Sequence, residues 1–221
     1  MTDGILLIDK PAHMTSFGVV ARVRRVLTEQ AGKKVKVGHT GTLDPFATGL
    51  LILCVGKATK DAMGYTKLDK VYEATIRLGQ RSSTGDPEGE ITNVSDTQPS
   101  KEAIEAAFKQ FTGEITQRPP IYSAIKINGQ RAYKLARKGE EVEIPLRNVT
   151  IYSLELVDYS YPELKIRTHV SSGTYIRTLA EDIGEVLGTG AYCSQLRRTK
   201  IANYDVNSTD DSFKELLTPK A

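Results

Sequence analysis

The sequence predicts an α+β fold with a mixed, mainly antiparallel central sheet and flanking helices. Three patterns predict it. The uninterrupted apolar run Leu50-Leu51-Ile52-Leu53-Cys54-Val55 has the length and composition of a buried strand. Residues 70–78 alternate instead, placing Tyr72, Ala74, Ile76 and Leu78 on one face. Residues 149–159 and 164–170 resemble adjacent strands joined near Pro162, so strands come in runs with helices between only some of them.

The other elements follow in chain order. Residues 4–9 read as a buried strand, and Thr15 or Ser16 can cap a helix reaching to about residue 28. Ser100 can cap a second helix whose apolar face is Ile104, Phe108 and Phe111. Residues 121–127 are strand-like, and residues 131–138 suit a short basic helix. Residues 174–187 are amphipathic along Ile176, Leu179, Ala180, Ile183 and Leu187, with Gly188 as a C-terminal stop. Residues 191–198 add a strand. No Pro/Gly/Ser-rich linker, repeat or low-complexity run divides the 221 residues, which favours one domain.

Composition narrows the function classes. Hydrophobic residues make up 39% of the chain, enough for a packed core. Cys54 and Cys193 stand apart, without CxxC or histidine partners, so neither a zinc site nor a disulfide scaffold is expected. The N-terminus lacks the charged-then-apolar pattern of a secretory signal, and residues 50–55 are far too short a run to span a bilayer. A cytoplasmic monomer without membrane or metal partners is the expectation. Cofactors are not expected either: there is no P-loop, no GxGxxG after a strand and no HExxH.

Charge distribution says more than the net charge of +3. Residues 118–138 hold Arg118, Lys126, Arg131, Lys134, Arg137 and Lys138 and no acid. Residues 22–36 hold six basic side chains against Glu29 alone. Asp86, Glu88, Glu90 and Asp96 read as a compensating acidic stretch. One basic segment alone is as well explained by a solvated face. Two segments, the first interleaved with Tyr122 and Tyr133, point to a binder of nucleic-acid phosphates.

The densest chemistry lies in residues 38–49, Gly-His-Thr-Gly-Thr-Leu-Asp-Pro-Phe-Ala-Thr-Gly. Glycines and hydroxyls surround one acid, Asp44, and a buried strand follows. An isolated Asp-Pro is usually just a turn. A loop, a carboxylate and a strand in this order hold the acid on a rigid element, as covalent catalysis by a carboxylate requires. The whole string resembles the signature loop of the TruB family of tRNA pseudouridine synthases.

Further motifs carry that resemblance in the family's order. They are Gly4-Ile5-Leu6-Leu7-Ile8-Asp9-Lys10-Pro11 with Thr15-Ser16, then Lys70-Val71-Tyr72, Tyr122-Ser123-Ala124-Ile125-Lys126, Gly173-Thr174-Tyr175-Ile176-Arg177-Thr178 and Leu196-Arg197-Arg198. Family members in bacteria usually carry a C-terminal RNA-binding PUA domain, and a chain stopping at Ala221 is expected to lack it.

The resemblance implies a pseudouridine-synthase-like sheet crossed by an active-site cleft. It also implies isomerisation of uridine 55 in the T arm of tRNA, with Asp44 as nucleophile and the target base flipped out. Arg177, otherwise readable as a surface arginine packing its stem, becomes the buried partner of Asp44. Tyr72, otherwise core, stacks on the target uracil and takes part in proton transfer. His39 braces the space left by the flipped nucleotide, and Tyr175 lines the pocket. Lys10 and Pro11 support the active-site loop. Residues 119–145 become a thumb-like clamp in which Lys126, Arg131, Lys134, Arg137 and Lys138 meet the RNA. The rival reading is a tRNA-binding folding factor with secondary or no catalysis. A synthase guided by an accessory RNA is a third, and the expected lack of a PUA domain speaks against it.

Overall fold

The computed structural model describes residues 3–123, 125–127, 130–131 and 144–217. Its chain forms two compact units, Met1–Tyr72 with Arg197–Ala221, and Glu73–Leu196.

In the first unit the strands are β1 (Gly4–Lys10), β2 (Val37–His39) and β3 (Thr48–Val55). Both β1 and β2 pair antiparallel with β3. On the other side of β3, β12 (Ala191–Ile201) is parallel, with Arg197 opposite Thr48 and Arg198 opposite Gly49. A short β13 (Tyr204–Asp205) pairs with β12. Helix α1 (Ser16–Ala31) starts where the Thr15 hydroxyl accepts from the Gly18 N–H and ends at Gly32, which is left-handed at φ 62°.

β3 is apolar throughout because both of its faces are covered. Leu51, Leu53 and Val55 pack with Leu6 and Ile8 against Val19, Val20, Val23 and Leu27 of α1. Leu50 and Ile52 pack on the opposite face with Ile201 and Val206. Each fully buried aliphatic side chain contributes about 1.5–3 kcal/mol. Two small helices, α2 (Ala62–Thr66) and α5 (Lys214–Leu217), complete the helical part of this unit.

The second unit carries the run β4-β11-β10-β7, built from β4 (Lys70–Leu78), β7 (Gly113–Gln117), β10 (Arg147–Ser160) and β11 (Glu163–Val170). β10 pairs antiparallel with both β11 and β7. Helix α3 (Lys101–Phe111), capped by the Ser100 hydroxyl, packs on β10 and on helix α4 (Ile176–Val186). Two small ribbons, β5 (Gln80–Ser82) with β6 (Ile91–Asn93) and β8 (Lys126–Ile127) with β9 (Gln130–Arg131), stand outside the main sheet.

The expected mixed, mainly antiparallel sheet with flanking helices is the one observed. Local differences have local causes. The strand expected over residues 121–127 narrows to Lys126–Ile127. Pro119 and Pro120 have no N–H to offer a ladder, and a tight turn closes from the Ser123 N–H to the Ile121 carbonyl. Ile121 and Tyr122 are consequently exposed, at 49% and 42%. The helix expected over residues 131–138 starts instead with Arg131 in β9, and its other residues lie outside the described ones.

Candidate active site

The loop bearing Asp44 is fastened from three directions by buried polar side chains of its own unit. The Ser16 hydroxyl accepts from the Leu43 N–H at 2.8 Å and donates to the Leu43 carbonyl at 3.0 Å. The Lys10 ammonium, fully buried, donates to the carbonyls of Pro11, Met14 and Pro45 at 2.8, 2.7 and 3.2 Å. Arg198, 1% exposed, donates to the Leu50 carbonyl at 2.8 Å and the Gly41 carbonyl at 3.1 Å. Asp44 is half-buried between these fixed points, and its own carbonyl accepts from the Ala47 N–H.

Gly49 closes the loop where no side chain fits. Its φ is +104°, and an added Cβ would lie 2.3 Å from the Arg198 carbonyl oxygen. Gly49→Ala therefore costs backbone strain of about 1–3 kcal/mol before the clash is relieved. A fall in Tm of at least about 2 °C is expected on thermal unfolding. Gly41→Ala is the matched control, since its Cβ meets only the flexible Arg198 guanidinium at 3.6 Å. Equal Tm values for the two variants would contradict this account.

Lys10 and Pro11 thus end β1 beside the loop, and Lys10 holds the residue next to Asp44 in the chain. His39 ends β2, half-buried, and its Nδ1 accepts from the Gly41 N–H at 3.4 Å. Tyr72 is 8% exposed on β4. Near it in sequence, burial and the Arg198 charge lower Lys70 to about 8, while Asp69 opposes them; its ammonium donates to the Thr66 and Leu68 carbonyls. An open cleft of about 510 Å³ beside β1 is lined in part by Asp9, Lys10, Pro11, Thr48 and Arg197. At its rim Arg197 grips Asp9 through both guanidinium ends, at 3.0 and 2.8 Å.

Arg177 belongs to the second unit, in the first turn of α4, and it is no surface residue: it is 3% exposed. One guanidinium nitrogen donates to Asp86 Oδ2 at 3.1 Å and to the Thr84 carbonyl at 2.9 Å. The other donates to the Tyr122 carbonyl at 2.8 Å. Asp86 is itself 4% exposed, and its Oδ1 accepts from the Thr84 hydroxyl at 2.6 Å and the Glu88 N–H at 3.0 Å. The acidic stretch therefore does more than compensate charge, because one of its members is buried as the partner of Arg177. Sequence alone could have found Asp86 only through Ser82, Thr84 and Gly85, small polar neighbours suited to hold a carboxylate.

Tyr175 precedes α4, with its N–H and carbonyl both bonded to the Gln117 amide, and it packs on the buried Ile125 and Ile144. Arg118 donates to the Ile144 carbonyl, which ties the start of the basic segment to a residue beyond its end. Lys126 and Arg131 pair across the β8–β9 ribbon. Lys134, Arg137 and Lys138 lie outside the described residues. No group of three or more His, Cys, Asp or Glu side chains able to hold a metal occurs among the described residues. No helix there is long and apolar enough to cross a membrane.

Glu181, one turn beyond Arg177, supplies a test of this buried charge cluster. Burial pushes its carboxyl up to about 7; Arg177 and Arg81 oppose the shift, and Asp182 and Asp86 add to it. An acid raised in the fold ionises first in the unfolded chain. Stability is therefore lost as pH rises from about 4.5 to about 7, and the loss is complete above that range. Glu181→Gln should be more stable than the parent at pH 8, by on the order of 2 kcal/mol, with the gain vanishing toward pH 4.5. Thermal unfolding across this range checks it, and a gain independent of pH would show that Glu181 is not the titrating group.

The first unit thus holds a carboxylate on a loop whose main chain is clamped, and the second holds a buried guanidinium paired with a carboxylate. The sequence profile of the N-terminal domain of TruB family pseudouridylate synthases matches residues 24–176, and that of the tRNA pseudouridylate synthase B C-terminal domain matches residues 177–218. The chain is 50% identical over 201 residues to the tRNA pseudouridine synthase B of Burkholderia lata, covering 91% of this chain and 61% of that one. It is 47% identical over 205 residues to that of an Azoarcus species, covering 93% and 67%. Among solved structures, a crystal structure of a Cbf5–Nop10–Gar1 complex matches with a TM-score of 0.71 and 31% identity, over 92% of this chain and 50% of that one. An H/ACA RNP bound to a substrate RNA containing 2'-deoxyuridine matches at 0.67 and 29%, over 91% and 48%. The chain belongs to the TruB family of pseudouridylate synthases. It spans less than two thirds of the length of its Burkholderia relatives.

Proposed function

We propose that this chain isomerises uridine to pseudouridine at position 55, in the T arm of tRNA. The observation that carries the reading is the immobilised Asp44 loop, with its main chain held by Ser16, Lys10 and Arg198. A carboxylate needs such a mount to attack a base or sugar carbon at fixed geometry. The relatives at about half identity are named for tRNA, which supports this substrate over a guide-dependent one.

In this reading the target uridine leaves its stack and lies against Tyr72. Asp44 attacks as nucleophile, the bond between N1 of uracil and C1′ of ribose breaks, and the base turns. The bond from C5 to C1′ then forms, the bond to Asp44 breaks and returns the free carboxylate, C5 gives up its proton and N1 gains one. Overall the atoms balance without an oxidant, a reductant or an energy source. Arg177 keeps the carboxylate ionised and oriented, His39 fills the space vacated by the base, and Tyr175 shapes the pocket. Residues 119–145 close over the phosphates. The enzyme acts in the cytoplasm as a monomer.

The test is single-turnover reaction of the protein with an unmodified T-arm hairpin, followed by position-by-position mapping of pseudouridine. Product at position 55 is expected. Tight binding without product would favour the folding-factor reading instead.

A further inference from the structure

The site described above uses neither the solvent face of α1 nor the turn that follows it, yet this is a strongly basic surface. Residues 22–36 carry six basic side chains and one acid. Two of the six have partners: Arg22 donates to the Leu216 carbonyl, and Arg25 lies 4.0 Å from Glu29. Lys33, Lys34 and Lys36 are exposed and meet no acceptor among the described residues. Arg24 rests its guanidinium 5.9 Å from the centre of the Phe17 ring, and Phe17 is 63% exposed. An exposed aromatic with a cation beside it is a surface suited to stacking and to phosphates together.

This surface starts at the Asp44 loop and leads away from it. Phe17 follows Ser16, whose hydroxyl holds Leu43. The 16 residues of α1 then cover about 24 Å. At the far end the Lys36 carbonyl accepts from the Gly56 N–H, just past the end of β3 and about a strand's length from Thr48. Helix and strand thus agree on the distance that separates the basic turn from the loop.

Resting on the proposed RNA activity, we propose that this face binds the phosphates of the paired stem that carries the target loop. A uridine delivered in a hairpin loop forces the stem to run away from Asp44. Arg24, Lys33, Lys34 and Lys36 would neutralise stem phosphates, and Phe17 would meet the loop-proximal end of the stem. A membrane surface is a poorer fit, because the apolar stripe of α1, Val19, Val20, Val23 and Leu27, is committed to the core.

The test compares two hairpins sharing one loop, one with a short stem and one with a long stem, by dissociation constant across a salt series. The parent is expected to bind the long stem more tightly and with a steeper salt slope. The combined variant Lys33→Gln, Lys34→Gln, Lys36→Gln should lose that advantage. Its slope on the long stem should flatten by about 2–3, near 0.9 per lost phosphate contact, with a loss of affinity on the order of 10–100-fold. The corresponding triple lysine-to-arginine variant should keep the slope, which separates charge from folding. An unchanged slope in the glutamine variant, equal losses on both stems, or tighter binding of the parent to anionic phospholipid vesicles than to the long stem would overturn the proposal. Pseudouridine is measured on the same hairpins: its absence beside an intact stem effect removes the proposed activity alone, and its presence beside an unchanged slope removes this surface alone.

Discussion

Asp44→Asn is expected to abolish pseudouridine formation while leaving RNA binding and the fold largely intact. The amide keeps the size and shape of the carboxylate but is a far weaker nucleophile at carbon. The loop should keep its shape because its fastenings act on main-chain atoms: Ser16 on Leu43, Lys10 on Pro45, Arg198 on Gly41, and the Ala47 N–H on Asp44's own carbonyl. Binding should survive because phosphate contacts supply most RNA affinity. A fall in turnover of at least on the order of 10³-fold is expected, with a dissociation constant within a few-fold of the parent's. Multiple turnovers by this variant would remove Asp44 from the nucleophile's place.

Arg177→Lys is expected to be nearly as damaging, although it keeps the charge. The guanidinium serves at least three acceptors, Asp86 and Thr84 from one nitrogen and Tyr122 from another. A single ammonium cannot reproduce that planar arrangement. Turnover should fall on the order of 10²-fold, with a smaller effect on the fold. Asp86→Asn tests the same cluster from its other side. It leaves the buried guanidinium without its carboxylate, and breaking such a pair by removing one partner typically costs about 3–5 kcal/mol. The Asp86 variant should therefore lose more Tm than the Arg177 variant. Turnover losses should be strongly non-additive in the double variant, as for residues acting as one unit. Near-parent activity of Arg177→Lys, or additive losses, would dissolve the unit.

Most of the sheet was legible because its strands are periodic. β3 is apolar on both faces, β4 alternates, and Ser100 and Thr15 cap their helices as the residue types suggest. β5, β6 and β13 were not legible: they are two or three residues long and largely polar. Asp44 stood out through its loop. Asp86 and Arg198 did not acquire roles, because sequence displays charge but not burial. A carboxylate 4% exposed and a guanidinium 1% exposed look the same in a sequence as solvated ones. Lys10 was expected to support the active-site loop only through the family resemblance; how it could do so, with three carbonyls converging on it, only the fold shows.

That converging ammonium separates two quantities that kinetics can measure apart. Mobile ions screen charges in water and reach a fully buried ammonium hardly at all. The mount of Asp44 should therefore ignore salt, whereas a complex held by exposed lysines dissolves in it. Raising the ionic strength should drive KM upward steeply while kcat, read at saturating RNA, stays nearly level. An enzyme built this way would release its RNA in strong salt without being disarmed, and diluting the salt should restore it at once.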